Sequence, residues 1–331
     1  MVPQQNTLKK LSELLGISIS TVSRALKDHP DISTKTKARV KELAATLDYE
    51  PNNFAVQLRT QQSNVLGILV PTIRNYFYDF FISAVEEEAV KHGYSIMIMQ
   101  SLDKLSLEIS NINVLRRNKI MGLFVSISIE TEDMTPFKKL QESGVPVVFF
   151  DRVAEVSGFN KVCLADEEAA RIAAKSIIAK GKKSVLALFG HPHLSITKLR
   201  YASFKNYFDL HAKDTKVDYY FPEQVEVSRE VCLEVFQNKI PEAVFCMGDM
   251  ILMGVMHAVH ETKLKVPEDI SIIGISNGLI PTLYDPKITY VETSGFKLGQ
   301  LAFKQMYASL KGLSEVEEVM LDSILVEGGS L

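Results

Sequence analysis

Ile19, Ser20, Ser23 and Arg24 form a group of four neighbours on one surface of a short helical segment, and their types suit the reading of nucleic acid. A guanidinium can bond a guanine edge through two N–H groups, hydroxyls can take phosphates or base edges, and an isoleucine can touch a thymine methyl. A second group lies far downstream, at the ends of strand-like runs. Phe77 and Tyr78 can stack on a ligand ring, while Ser126, Asp151 and Arg152 can bond its polar edge.

The first group needs a rigid helix to carry it. Leu8, Leu11 and Leu15 recur at the i, i+3, i+7 spacing of a buried stripe, Gly16 breaks the segment, Ser18 stands as an N-cap, and Val22 with Leu26 repeats the stripe. Two short helices joined at a glycine form a helix-turn-helix, which sets its second helix in a DNA groove. A third helix is expected after Ser33 and Thr34, with Val40, Leu43, Ala44 and Leu47 on its apolar side and Lys35, Lys37, Arg39 and Lys41 on its polar side. Residues 1–60 carry nine Lys/Arg against six Asp/Glu, and the rest of the chain 28 against 34, so the formal charge of −3 hides a basic head on an acidic body. That asymmetry fits a chain in which one end meets phosphate.

After Pro51 the run Asn52 to Arg59 is too short to hold as an isolated helix in water, where roughly 12 to 15 residues are needed, so it should fold only when something holds it. The body from Val65 onward alternates strands and helices. Strands are expected at Val65 to Val70, Tyr94 to Met99, Met121 to Ile127, Val145 to Phe150 and Lys161 to Leu164, then at Ser184 to Phe189, Val217 to Phe221, Ala243 to Met247 and Ile270 to Ile275. Helical patterns fall at Tyr78 to His92, Leu105 to Asn118, Ile196 to His211, Val227 to Asn238 and Asp249 to Thr262. Apolar strands alternating with amphipathic helices mean parallel sheets covered on both faces. Two such doubly wound units leave a cleft, and ligands of these sheets bind outside the carboxyl ends of the strands.

Thr7-Leu8-Lys9, Gly16-Ile17-Ser18, Ser20-Thr21-Val22-Ser23-Arg24-Ala25-Leu26 and Leu47-Asp48-Tyr49-Glu50-Pro51-Asn52 resemble the headpiece of the lac repressor and gal repressor family. In the body, Val70-Pro71-Thr72, Val145 to Arg152, Val266-Pro267-Glu268-Asp269 and Ile288 to Val291 match the same family's landmarks. The resemblance implies that Ile19, Ser20 and Arg24 read bases and that Thr7, Ser18, Thr21, Ser23 and Asn52 contact the DNA backbone. It makes 51–64 a hinge helix and linker, with Leu58 wedged into the minor groove and Ala55 allowing close approach. It adds Arg200, Asp249 and Ser276 to the effector-binding set and places Met253, His257, Leu283 and Tyr284 at a dimer face. Ser276 stands where the family usually has an aspartate for sugar hydroxyls, with Asn277 keeping the amide beside it, and Gly248-Asp249 replaces an Asn-Asp pair. Lys10 replaces an acid that would close a capping box with Thr7, and Asp48 replaces a glycine at the end of the third helix, where Asp tolerates left-handed backbone.

The expected architecture is therefore α/β: an all-α helix-turn-helix headpiece (1–50), the hinge (51–64), and a periplasmic-binding-protein-like core (65–331) of two doubly wound parallel-sheet subdomains. One subdomain takes roughly 65–160 with a return near 293–320, the other 163–290 with the C-terminal end. The expected activity is ligand-controlled repression through operator DNA by a homodimer, the ligand a small metabolite, by preference a carbohydrate. The alternative is a sugar-binding protein or an enzyme on the same core. No P-loop, Gly-x-Ser-x-Gly elbow or dinucleotide fingerprint supports catalysis. His191-Pro192-His193 and the pair His257 and His260 lack the further ligands of a metal site, so neither metal nor cofactor is expected. Cys163, Cys232 and Cys246 are scattered in apolar surroundings, and no signal peptide or membrane-length apolar run is seen, which points to a reduced thiol set and a cytoplasmic location.

Overall fold

The computed structural model describes residues 8–49, 63–154, 156–313 and 315–331. The chain divides into two compact units, Met1–Gln62 and Ser63–Leu331. In the first, α1 (Leu8–Leu15), α2 (Ile19–Leu26) and α3 (Thr34–Thr46) close on Leu11, Val22, Ala25, Val40 and Ala44. Gly16 takes the left-handed conformation in the α1–α2 turn (φ 65°), a position that favours a residue without Cβ. Ser18 and Ser33 cap the helices that follow them, accepting from the N–H groups of Thr21 (3.1 Å) and Thr36 (3.2 Å). Spacing assigns Leu26 to the core, but Ala25 is the buried residue and Leu26 is half-buried. The reason is that α2 packs against both α1 and α3, so the position between its two neighbours lies deepest.

Two of the four basic residues of α3 serve the unit itself. Lys41 Nζ lies 2.7 Å from both carboxylate oxygens of Asp28, and Lys37 Nζ donates to the Asp28 carbonyl at 3.0 Å. They hold a turn in which Asp28 is itself left-handed (φ 53°), and Asp48 takes the same conformation (φ 48°) just beyond α3.

The second unit holds two six-stranded sheets. One contains β1 (Val65–Val70), β2 (Ser95–Gln100), β3 (Gly122–Val125), β4 (Val147–Phe150), β5 (Asn160–Leu164) and β11 (Glu318–Leu321), in the order β11-β5-β4-β3-β1-β2 and parallel throughout. The other contains β6 (Ser184–Leu188), β7 (Lys216–Tyr220), β8 (Ala243–Cys246), β9 (Ser271–Ser276), β10 (Thr289–Glu292) and β12 (Ile324–Val326), in the order β12-β10-β9-β8-β6-β7. Here β12 runs antiparallel to β10, so the second sheet departs from the purely parallel expectation at one edge. Strands β3, β4, β5, β8 and β9 are buried along their whole length, as strands covered on both faces must be.

The covering helices are α4 (Tyr76–Lys91), α5 (Leu105–Arg117) and α6 (Thr135–Glu142) around the first sheet, and α7 (Asp166–Ala179), α8 (Ser195–His211), α9 (Val225–Asn238) and α10 (Asp249–Thr262) around the second. The last helix, α11 (Gly295–Leu310), returns to the first sheet and lies along α4. The chain thus crosses between sheets three times, after β5, after β10 and after β11. Helices α6, α7 and α11 are absent from the expected pattern. In α7, Asp166, Glu167 and Glu168 fill the first turn, where carboxylates favour the helix N-terminus, and Ala169, Ala170, Ala173, Ala174 and Ile177 form its buried face. Small side chains give that stripe little apolar weight in the sequence, although it is fully covered.

Candidate functional site

The N-terminal unit presents Ile19, Ser20 and Arg24 to solvent on α2, with Ile19 47% exposed despite its apolar side chain. Ser23 and Thr21 are half-buried, so the outward surface is narrower than the four residues expected from spacing. The Ser18 hydroxyl already shares hydrogen bonds with those of Ser20 and Thr21, each at 2.8 Å, which orders the start of the helix before any ligand arrives. Thr7, Asn52, Ala55 and Leu58 lie outside the described residues.

In the second unit, the strand-end loops of both sheets enclose a cavity of about 430 Å3. Phe77, Tyr78, Asp151, Arg152, Arg200, Asp249 and Ser276 all line it; Ser126 does not, and instead lies behind it. Tyr78 is buried, and its hydroxyl donates to Asp151 Oδ2 at 2.8 Å and meets the Ser126 hydroxyl at 3.1 Å. It therefore orients Asp151 rather than offering a free face for stacking. Its ring is already flanked edge-on by Phe77 and Phe150. Asp151 has left-handed backbone (φ 57°), an uncommon conformation for a residue with Cβ that turns this carboxylate off the end of β4. Burial pushes the Asp151 carboxyl above the usual carboxylate range, against the pull of Arg152 and Tyr78.

Each arginine of the cleft already has an acidic partner. Arg152 Nη1 donates to Asp103 Oδ1 at 2.6 Å, and Asp103, on the β2 end, is also left-handed (φ 57°). Arg200 on α8 is buried; its Nε donates to Asp166 Oδ1 at 2.7 Å, its Nη2 lies 2.6 Å from the same oxygen, and its Nη1 donates to the Met247 carbonyl at 2.7 Å. Met247, just before α10 begins at Asp249, accordingly lines the cleft.

On the β9 side, the Ser276 hydroxyl donates to Asp249 Oδ1 and the Asn277 N–H donates to Asp249 Oδ2 at 3.2 Å. A carboxylate is thus supplied beside Ser276 from the start of α10, and burial raises its pKa. Asn277 Oδ1 accepts from the Gly295 N–H at 2.7 Å, linking the end of β9 to the start of α11. Its Nδ2 is buried with no hydrogen-bond partner, as is Arg152 Nε.

Four polar residues of this region escape the sequence reading, and a fifth, His191, enters it only as a rejected metal ligand. Asp103 follows β2 and Asp166 follows β5, so the same strand-end rule that selects Asp151 would have found both. Asn75 caps α4 through the Phe77 N–H (2.9 Å) and lines the cavity. His191 and Glu223, 3.6 Å apart at Nε2 and Oε1, also line it. Elsewhere, His257 and Leu283 are exposed and Met253 and Tyr284 half-buried, with Tyr284 edge-on to His260 at the end of α10. The three thiols are buried and unpaired, and burial pushes those of Cys163 and Cys232 up to about 12, so neither is a nucleophile at neutral pH. Among the described residues, no three His, Cys, Asp or Glu could hold a metal ion, and no helix is long and apolar enough to cross a membrane.

Comparison with known proteins places both units. Residues 7–52 match the bacterial regulatory proteins of the lacI family, and residues 174–331 match the periplasmic binding protein-like domain. The chain is 26% identical over 308 residues to the HTH-type transcriptional repressor PurR of Vibrio campbellii, covering 92% of each. It is 26% identical over 306 residues to catabolite control protein A of Priestia megaterium, covering 90% of each, and 27% identical over 303 residues to the ribose operon repressor of Lactococcus lactis subsp. lactis, covering 91% of this chain and 90% of that protein. A crystal structure of the lac repressor dimer, bound to operator and the anti-inducer ONPF, shares the fold across 99% of both chains, with a TM-score of 0.88 at 21% identity.

Proposed function

The chain belongs to the lacI family of bacterial regulatory proteins, and from that premise we propose that it is a DNA-binding repressor controlled by an uncharged, polyhydroxylated metabolite held in the cleft. The observation that carries this reading is the pairing, within one chain, of an exposed Ile19, Ser20 and Arg24 surface with a cleft of about 430 Å3 lined by both polar and apolar side chains. Arg24 is the base-reading residue of the set, and the flanking hydroxyls hold phosphate. Thr7, Asn52, Ala55 and Leu58 complete the DNA contacts, the last two through hinge helices that form when two copies meet on a near-palindromic site. Met253, His257, Leu283 and Tyr284 supply part of the contact between copies. The chain works in the cytoplasm, where its DNA is.

The electrostatics of the cleft support the ligand class. Asp103, Asp151, Glu223 and Asp249 line it against Arg152 and Arg200, and both arginines are already paired. A phosphate would meet a surplus of carboxylate, since the acidic partners offset both arginine charges. A hydroxyl, which both donates and accepts, suits a cleft lined by carboxylates, guanidinium N–H groups and the Asn75, Ser276 and Asn277 side chains. Ligand shifts DNA affinity by its differential binding to the two conformations, and that difference sets whether it releases or promotes the complex.

The test uses the full chain. DNA selected from a random library should yield a near-palindrome, and thermal shift should show binding by one or more free sugars and none by their phosphates. A selection that returns no preferred sequence removes the repressor assignment, and stronger binding of sugar phosphates removes the ligand class.

A further inference from the structure

Three hydroxyls meet at the start of α2. Ser18 Oγ accepts from the Thr21 N–H at 3.1 Å as the N-cap, and it lies 2.8 Å from both Ser20 Oγ and Thr21 Oγ1. A serine oxygen has two lone pairs and one proton. The Thr21 N–H occupies one lone pair, so Ser18 has a single proton and a single lone pair with which to meet two hydroxyls. It must donate to one and accept from the other, and Ser20 and Thr21 therefore take opposite roles. Ser20 is the exposed member of the pair and Thr21 is half-buried, so the outward edge of the Ser20 hydroxyl is the one open to a base.

Phosphate decides which way the protons point. The repressor reading, on which this inference rests, sets Ser18 and Thr21 against the DNA backbone, where the phosphate oxygens can only accept. If Thr21 gives its proton to phosphate, it meets Ser18 as an acceptor and takes the Ser18 proton. If Ser18 gives its own proton to phosphate, none remains for Ser20. Either way Ser20 keeps its bond to Ser18 by donating, and only lone pairs face outward. We infer that Ser18 fixes Ser20 as an acceptor, so that Ser20 selects a base carrying an exocyclic amino group in the major groove, adenine through N6 or cytosine through N4. Guanine and thymine turn carbonyl oxygens to that edge, and two acceptors repel. A serine free to turn would take either kind of edge, so the selectivity belongs to the hydroxyl cluster and Ser18 is its positioning residue.

The full chain is the protein to test. Selections from random DNA by the unmodified chain and by Ser20→Ala identify the position Ser20 reads, as the one in each half-site where preference is lost. The unmodified chain should prefer adenine or cytosine there, on one strand, by roughly threefold to tenfold, the worth of one hydrogen bond. Replacing the selected base by its analogue without the amino group, purine for adenine or 2-pyrimidinone for cytosine, should cost the unmodified chain the same factor and Ser20→Ala nothing. That arm leaves the fold untouched. In Ser18→Ala the Ser20 proton is released, and preference at this position alone should fall to near one. Ser18→Asp caps the helix and can only accept, so it should keep the preference while binding all DNA more weakly. Guanine or thymine at the Ser20 position overturns the inference and leaves the repressor assignment standing. So does a preference that survives Ser18→Ala, an equal loss at every position in both Ser18 variants, or a Ser20→Ala selection in which no position changes. A selection that returns no preferred sequence overturns both.

Discussion

The two functional regions are built on opposite plans. On α2, Ile19, Ser20 and Arg24 stand exposed on a helix whose shape depends on the residues beneath them, so function and stability rest on different side chains. In the cleft, Arg200, Asp151, Asp249 and Asn277 are bonded to other parts of the protein, so the side chains that face ligand also hold the walls together. A surface that must meet a long, hydrated partner can leave its side chains free until contact. A cavity for a small molecule must hold its polar groups in place before binding, because a small ligand offers little free energy to reorganise them.

The sharpest way to break this contrast is Arg200→Ala. It leaves Asp166 as a buried carboxylate without its partner, a change that costs about 3 to 5 kcal/mol, read as a fall in the denaturant midpoint of the full chain. A loss under 1 kcal/mol would mean the cleft is no more structural than the helix surface. Next comes Gly295→Ala. A Cβ there would sit 2.3 Å from the Phe77 carbonyl oxygen, so α11 and α4 must move apart, at about 1 to 3 kcal/mol and with weaker effector binding through Asn277.

Arg24→Ala tests the other side. Stability should change by no more than about 0.5 kcal/mol, while discrimination between the selected site and random DNA should fall by about 1 to 3 kcal/mol, measured as a ratio of dissociation constants at one salt concentration. Equal losses on both DNAs would reassign Arg24 to the phosphates. Lys41→Ala should leave the melting temperature nearly unchanged, because its bond to Asp28 is exposed and screened by solvent.

The smallest effect concerns pH. Burial raises the Glu108 carboxyl above its ordinary 4.5, so the folded chain holds that proton more tightly than the unfolded chain does. The resulting stability is present below the ordinary value and is lost as pH climbs through the raised one. Glu108→Gln should flatten the pH dependence of the urea midpoint in that window. An unchanged slope would show that Glu108 does not titrate in that window.

Much of the frame is legible in the residues. The apolar strand β1 and the helix α10 fall where the sequence pattern sets them, because a buried strand or a strongly apolar helix leaves its period in the chain. Helix α7 is harder to see, since alanine fills its buried face, and α11 is masked by Gly295 and Gly299, which look like breakers until α4 is known to press against them. In the site, Asp151 and Arg152 are visible as strand-end polar residues. Asp103 and Asp166 also follow strands, but their pairings are not visible: Asp103 lies 49 residues from Arg152, and Asp166 lies 34 from Arg200.

The sequence by itself determined the helix pair with its Ser18 cap and exposed arginine, the alternation of strands and helices, and the basic head on an acidic body. Each is a local or compositional property, written in neighbours a few residues apart. Tertiary structure alone decided that Tyr78 bonds Asp151 at the cavity wall, that Asp249 stands beside Ser276, and that Asn277 and Arg152 are left with unpartnered donors. These depend on which strand ends are brought to one place, and periodicity records that a face is buried without recording against what.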